Sequence, residues 1–226
     1  MSRLKHLHSR ALTAIVLGVI AGGSAAGFAL ADTSTDTATQ TTTVAAIQQV
    51  PPSIAAAFPA LRKALDSSEA QQLPEVAQVM SILTSRGALA SAGGANSALA
   101  RRISQAGEDA EYLVPGNAVL CMVSVGHATG GGCAPQSSVE TAGSTSMTVV
   151  PGGYEVSGIL PRSTSTVSIT DASGQTSTVA ANANHAFHYF SAAPLARLAY
   201  DLPSGGQHVG SLALPPPPDI PPPPAG

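Results

Sequence analysis

Large and charged side chains are scarce in this chain. None of its 226 residues is tryptophan, 4% are aromatic and 10% are Asp, Glu, Lys or Arg, whereas ordinary soluble domains contain about 25% charged residues. Small apolar side chains bury little area each, at roughly 25 cal/mol per Å². We therefore expect a modest core that is helped by a covalent link.

Basic residues are especially few beyond the N-terminus. Three of the ten Lys and Arg precede Asp32 and all thirteen Asp and Glu follow Ala31, so the chain after Ala31 has a net charge of −6. Nucleic-acid-binding proteins present clustered positive charge to the phosphates. This composition predicts that no nucleic acid is bound.

The N-terminus predicts export. Arg3, Lys5 and Arg10 precede an uncharged run at 11–30, and the small-x-small sequence Ala29-Leu30-Ala31 predicts cleavage between Ala31 and Asp32. The alternative is an uncleaved membrane anchor, because the 20 residues 11–30 could just span a bilayer. In either case we expect a secreted or cell-envelope protein. If the segment is uncleaved, we expect it to be the only part of the protein that contacts a membrane.

Four further segments follow residues 1–31. The composition predicts a disordered Thr/Gln/Ala-rich spacer at 32–52, a helical segment at 53–110, a β-rich domain at 111–214 and a disordered Pro-rich tail at 215–226. The predicted fold class is α+β, with short N-terminal helices followed by a small antiparallel β-sandwich or barrel of about seven to nine short strands.

Two patterns define the helical segment. Pro59 and Pro74 each come just before a run of residues that favours a helix, as proline does at the first position of a helix. After Pro74, a helical spacing places four apolar residues on one face, namely Val76, Val79, Met80 and Leu83. Ser97 predicts the cap of a further helix, ALARRISQA, which stops near Gly107.

The only two cysteines lie in the stretch LCMVSVGHATGGGCAP. Eleven residues separate Cys121 from Cys133, which is enough for the chain to turn and return. Because exported chains meet an oxidising compartment, we expect a disulfide that closes a hairpin loop, with the Gly-Gly-Gly run as its flexible tip. A zinc site with His127 and a catalytic cysteine are weaker alternatives, since each lacks partners in the sequence.

Catalytic signatures are missing. The sequence has no G-x-S-x-G elbow. Ser124 and His127 lie three residues apart at the same loop, and we interpret this spacing as a coincidence. In NHAFHYF we expect a strand, which places His185 and His188 on opposite faces as structural residues. Four scattered carboxylates are interpreted as exposed turn or strand residues: Glu140, Glu155, Asp171 and Asp201. We predict no catalytic activity, no cofactor and no metal.

Four short motifs together resemble a group of exported proteins of high-GC bacteria that have no known activity. The matching residues are Leu113 to Gly116, Cys121, Gly132 to Ala134 and Gly158 to Pro161, within residues 58–190. The chain departs from this pattern at Arg162-Ser163, where an acidic-Gly pair is commoner. The resemblance implies an exported protein with a disulfide-bearing β-domain, and it transfers no functional residue.

Three hypotheses for function remain open. The first is a non-catalytic binding or structural module of the cell envelope, whose partner is a cell-wall component or envelope protein. The second is an assembly protein recognised through its Pro-rich tail, as proline-rich segments dock in aromatic grooves. The third is an extracytoplasmic enzyme without a recognisable motif, and clustered carboxylates with perturbed pKa values in a pocket would favour it.

Overall fold

A computed structural model describes residues 45–85, 93–127 and 129–212. The predicted signal segment, its cleavage position, most of the spacer and the Pro-rich tail at 215–226 lie outside these residues. Within them the chain is mostly β, with eleven strands in three antiparallel sheets and a few short helices. No helix among them is long and apolar enough to cross a membrane.

The first sheet has the order β1-β2-β3-β4 and is made of consecutive hairpins. Its strands are β1 (Arg101–Ala106), β2 (Asp109–Pro115), β3 (Val119–Val125) and β4 (Gly130–Pro135). The helices α1 (Pro52–Ala57), α2 (Ser67–Ser85) and α3 (Gln136–Ala142) complete this half, with 3₁₀ turns at Pro59–Arg62 and Ser97–Leu99.

The central and last sheets follow. The central sheet has the order β5-β6-β9, from β5 (Ser144–Val150), β6 (Gly153–Ile159) and β9 (Ala186–Ser191). The last sheet has the order β11-β10-β7-β8, from β7 (Thr166–Asp171), β8 (Thr176–Ala180), β10 (Leu195–Asp201) and β11 (Gln207–Ser211).

Both faces of the first sheet are covered. On one face, the buried residues Val76, Val79 and Met80 of α2 pack on apolar residues of β2 and β3, with Leu83 partly buried beside them, which confirms the predicted helix face. On the other face, Ile54, Phe58 and Leu61 pack on Leu113 and Leu120 of the sheet and on Ile159 of the central sheet. These two clusters explain why β2 and β3, the two central strands of the sheet, are buried along almost their whole length.

The helix α2 begins earlier than Pro74 predicts. Asp66 and Glu69 form a capping box, in which Glu69 N–H donates to Asp66 Oδ1 (2.8 Å) and Asp66 N–H donates to Glu69 Oε2 (3.1 Å). Pro74 therefore lies inside the helix. Glu69 Oε1 also accepts from the Arg102 N–H (2.9 Å), which ties the helix to β1.

The predicted helix ALARRISQA is wrong. Asn96, not Ser97, caps a single 3₁₀ turn by accepting from Ala98 N–H (3.0 Å), and the chain continues as β1 from Arg101. Gly107, with φ +62°, allows the turn into β2. Pairing with β2 supplies ladder hydrogen bonds and buries Ile103, whereas an isolated short helix would be marginal in water.

The end of the predicted spacer is attached to the folded part. Ile47 N–H donates to the Gly94 carbonyl (2.8 Å), and Asn96 Nδ2 donates to the Ile47 carbonyl (2.7 Å). Val50 packs on the core. Residues 45–50 thus contact the body before α1 begins.

Candidate functional site

The disulfide expected from the sequence is present. Cys121 in β3 and Cys133 in β4 are directly opposite each other in the ladder, with Cα atoms 3.9 Å apart. Cys121 is fully buried in the cluster beneath α2. The bond is therefore a structural link inside a hairpin.

The glycine run is not the tip of this hairpin. Gly130 to Gly132 form the start of β4 opposite Ser124 to Met122, and the turn lies before them. A Cβ on Gly131 would lie 2.5 Å from the Met122 carbonyl oxygen and 3.3 Å from Leu83 Cδ1. The close approach of α2 and β3 explains the missing side chain, and the predicted flexible tip is wrong.

A polar cavity lies where the first sheet faces the central sheet. Its volume is about 10 Å³, which is room for about one water molecule. Ten residues from six strands line it: Ser104, Ala106, Asp109, Ala110, Glu111, Ser124, Thr148, Glu155, Ser157 and His188.

Glu111 is the most buried charged residue of this cavity. Its Oε1 accepts hydrogen bonds from Ser124 Oγ (2.7 Å) and from Ser157 Oγ (2.6 Å). Its Oε2 is buried and has no hydrogen-bond partner within the described part of the chain. Burial raises the pKa of the Glu111 carboxyl, although the two serine hydroxyls oppose the shift.

His188 and Glu155 form the opposite wall. His188 Nε2 lies 3.7 Å from Glu155 Oε2, and only 19% and 16% of the two side chains are exposed. The interpretation of Glu155 as an exposed residue is therefore wrong. His188 lies on β9, as NHAFHYF predicts, with Phe187 and Tyr189 on the other face. The prediction that His185 also lies on this strand is wrong, because His185 is in the bend before β9 with φ +61°.

An acidic turn borders this cavity. Asp109 Oδ1 accepts from His127 N–H (2.6 Å), Asp109 Oδ2 lies 3.2 Å from His127 Nδ1, and Glu108 Oε2 lies 3.6 Å from His127 Nε2. The Asp109 hydrogen bond and charge raise the pKa of His127. Across the described ranges, no three His, Cys, Asp or Glu side chains are placed to hold a metal ion.

The outer face of the last sheet is a second candidate. Val167, Ile169 and Leu198 turn inward to a buried cluster, so the alternate positions of these strands face outward. Across β7 and β8, the register pairs Thr170 with Thr176 and Ser168 with Thr178. The residues of this outer face that carry hydroxyls are Thr166, Ser168, Thr170, Thr176 and Thr178.

This outer face is polar along β7 and β8. Thr170 Oγ1 and Thr176 Oγ1 are hydrogen-bonded across the strands at 2.9 Å, and Thr166, Thr176 and Thr178 are exposed. Arg197 and Asp201 of β10 are exposed beside them. Such a face offers hydroxyl donors and acceptors in a regular array, about 4.8 Å apart between strands.

The sequence did not single out Glu111 or the outer face. Glu111 lies between two buried neighbours in β2. A carboxylate within such an apolar strand was the one signal in the sequence that could have identified it, because a buried Glu is rare unless it is paired. Its partner Ser157 is 46 residues away, so no local pattern could identify the pair. The Thr alternation in STVSITD and STVAA could have identified the outer face.

Comparison with known proteins adds no assignment. No protein-family model matches this chain, and no curated protein or solved structure matches it either.

Proposed function

We propose that this chain is an exported, non-catalytic module of the cell envelope that binds a cell-wall polymer through the outer face of its last sheet. The observation that carries the proposal is the hydroxyl array of β7 and β8. Hydroxyl side chains both donate and accept, as the hydroxyl and amide groups of wall glycans do.

The disulfide supports the location outside the cytoplasm. Disulfides persist in oxidising compartments and are rare in the reducing cytosol. The Cys121–Cys133 bond is buried against α2, so it stabilises the fold and is not placed for exchange. This agrees with the export that residues 1–31 predict.

We also propose that the three sheets work as one layered β-sandwich. Ile159 and Ala186 of the central sheet pack with the first sheet, while Val156 and Phe187 pack with the last. A rigid layered body would hold the outer face flat, since interiors are packed at crystal-like density.

Wall binding is tested by co-sedimentation of the exported, oxidised protein with cell wall from its native host. We expect saturable binding that the double variant Thr170→Glu, Thr178→Glu loses, because added carboxylates disturb the hydroxyl array. The matched control is Ser137→Glu, Ser138→Glu, which adds the same charge at exposed positions of α3. Wild-type protein that does not sediment, or equal sedimentation of both variants, contradicts the proposal.

Location is tested separately in intact cells of the native host. We expect externally added protease to degrade the protein, and maleimide labelling of the denatured protein to detect Cys121 and Cys133 only after reduction. Protease resistance together with free thiols would place the protein in the cytoplasm and overturn the export proposal.

An extracytoplasmic enzyme is the second candidate, and the Glu111 cavity favours it. A buried carboxyl with a raised pKa beside a histidine and a second carboxylate is a common acid–base arrangement. The cavity holds about one water molecule, so a substrate would have to part the first and central sheets. Loss of wall binding by the outer-face variant, but not by Glu111→Gln, favours the binding module.

Recognition of the Pro-rich tail by a partner protein is the remaining hypothesis. Residues 215–226 lie outside the described residues, so its test is functional. If the tail recruits a partner, deletion of 215–226 abolishes partner capture and leaves sedimentation with cell wall unchanged.

A further inference from the structure

The Glu111 carboxyl is asymmetric in its contacts. Both serine hydroxyls, from Ser124 of β3 and Ser157 of β6, donate to the same oxygen, Oε1. Oε2 is closed from solvent and lacks a partner within the described residues. A neutral carboxylic acid has this asymmetry, with one carbonyl oxygen that accepts and one oxygen that bears the proton.

The charges around Glu111 do not supply a cation dedicated to it. Glu155 from β6 adds negative charge that raises the Glu111 pKa, and Asp109 lies two residues earlier on β2. The charge of His188 from β9 lowers the Glu111 pKa, but burial outweighs it, and His188 Nε2 lies 3.7 Å from Glu155 Oε2. β1, β3 and β5 contribute only the hydroxyls of Ser104, Ser124 and Thr148.

Two other basic residues of the first sheet and its turn are engaged elsewhere. Arg102 of β1 hydrogen-bonds Asp66 and Ser68 beside α2, and His127 is paired with Asp109 and Glu108 in the turn. No Lys or Arg is among the residues that line the cavity. An ionised Glu111 would thus be a buried charge with two hydroxyl donors and no ion-pair partner of its own, which is costly.

We propose that Glu111 is a proton-controlled contact between the first and central sheets, which holds them together as a neutral acid and loosens them when it ionises. The position of Glu111 explains why its ionisation would affect the central sheet. Glu111 bonds across the gap to Ser157, and Ser157 in turn lies 3.1 Å from Ser146 of β5. A change at this carboxyl therefore reaches two strands of the central sheet.

The sign of the pH effect follows from the direction of the shift. The Glu111 pKa is raised in the folded protein from 4.5, so the folded state holds its proton where the unfolded chain has lost it. The stability from Glu111 is complete below pH 4.5 and is lost as pH rises through the folded pKa. In that window the unfolding constant rises up to tenfold per pH unit from this group alone.

Other groups also titrate, so the total pH profile is not diagnostic. The raised pKa of His127 makes its contribution fall as pH rises, like that of Glu111. Hydrogen bonds from Ser68 and Ser173 lower the pKa values of Asp66 and Asp171, whose contributions fall as pH drops. The comparison of wild type with a Glu111 variant removes these shared terms.

The experiment is the unfolding of the full, oxidised chain between pH 4 and 8, for wild type and for Glu111→Gln. Glutamine has the shape of the neutral acid and keeps an oxygen that accepts from both serines. We expect the ratio of the two unfolding constants, wild type over variant, to rise from the lowest to the highest pH, by up to tenfold per pH unit where Glu111 loses its proton. The control Glu75→Gln, at an exposed position of α2, should give a constant ratio. A constant ratio for Glu111→Gln overturns the proposal.

Wild-type protein provides a second measurement that does not depend on how well the variant folds. Amide hydrogen exchange, corrected for intrinsic rates, should show lower protection of β2 and β6 at pH 8 than at pH 5, with β7 and β10 changed less. Equal change in all four strands, or none, would contradict a contact controlled at Glu111.

Discussion

The two faces of the central sheet differ in what they bury. Towards the last sheet, Val156 and Phe187 pack on Ile169 and Leu198 in an apolar cluster. Towards the first sheet, apolar contact at Ile159 gives way to the polar cavity around Glu111. The same three strands therefore make one contact that depends on packing and another that depends on hydrogen bonds and on a proton.

The alternation of residues along a strand does not by itself show which neighbouring sheet each face packs against. In β6 and β9, alternate residues serve opposite neighbours, so that Ser157 and His188 share one face and Val156 and Phe187 the other. Buried polar groups are usually fully bonded. Among the described residues, Glu111 Oε2 and His188 Nε2 are buried without a hydrogen-bond partner, and both residues line the same cavity.

The largest effect should come from the apolar contact. Phe187→Ala removes a ring that is 2% exposed, and we expect a loss of about 3–5 kcal/mol in the free energy of unfolding. Phe190→Ala is the matched control, because it lies on the same strand and is 48% exposed. Urea unfolding measures both, and similar losses would mean that the two faces are not distinct.

Breaking the disulfide should be next in size. A closed loop of this length is worth roughly 3 kcal/mol on the chain-entropy model. Reduction of wild type should lower the urea midpoint, while reductant should leave a Cys121→Ala, Cys133→Ala variant unchanged. If reduction does not lower the wild-type midpoint, the small core does not depend on its covalent link.

Removing one hydroxyl donor should have a smaller effect. Ser157→Ala leaves Glu111 Oε1 with one donor, and we expect a loss of about 1–2 kcal/mol. The Ser157 hydrogen bond lowers the Glu111 pKa, so the variant should keep Glu111 neutral to a higher pH. The check is unfolding at several pH values, with Ser137→Ala on the exposed side of α3 as control. A variant that matches this control at every pH would contradict the role of Ser157.

The turn beside the cavity should show the smallest change. His127 is an exposed side chain whose pKa is raised by Asp109. NMR titration of the imidazole should give a midpoint above 6.5 in wild type, and Asp109→Asn should lower it. An unchanged midpoint in Asp109→Asn would show that the turn contact does not persist in solution.

Local patterns in the sequence predicted the parts of the fold that local forces determine. The spacing of Val76, Val79 and Met80 predicted the buried face of α2, and export with two cysteines predicted the disulfide. ALARRISQA has helical spacing, but pairing with β2 made part of it a strand. Tertiary contact overrode a weak local preference.

The cavity could not be predicted because its parts are distant in sequence. Glu111 meets Ser157 across 46 residues, and the charges that matter come from β2, β6 and β9. Only the folded arrangement shows that Glu155 is mostly buried beside His188. The outer face was easier to predict from the sequence, because its threonines alternate along two adjacent strands.

The most direct test of this account is the protonation state of Glu111 itself. ¹³C NMR of the side-chain carboxyls, with the Glu111 resonance assigned by its absence in Glu111→Gln, gives the midpoint in wild-type protein. A proton-controlled contact requires a midpoint clearly above 4.5, together with a change in the amide signals of β6 over the same pH range. A midpoint at or below 4.5 would show that the buried carboxyl is ionised, and would contradict the proton-controlled contact.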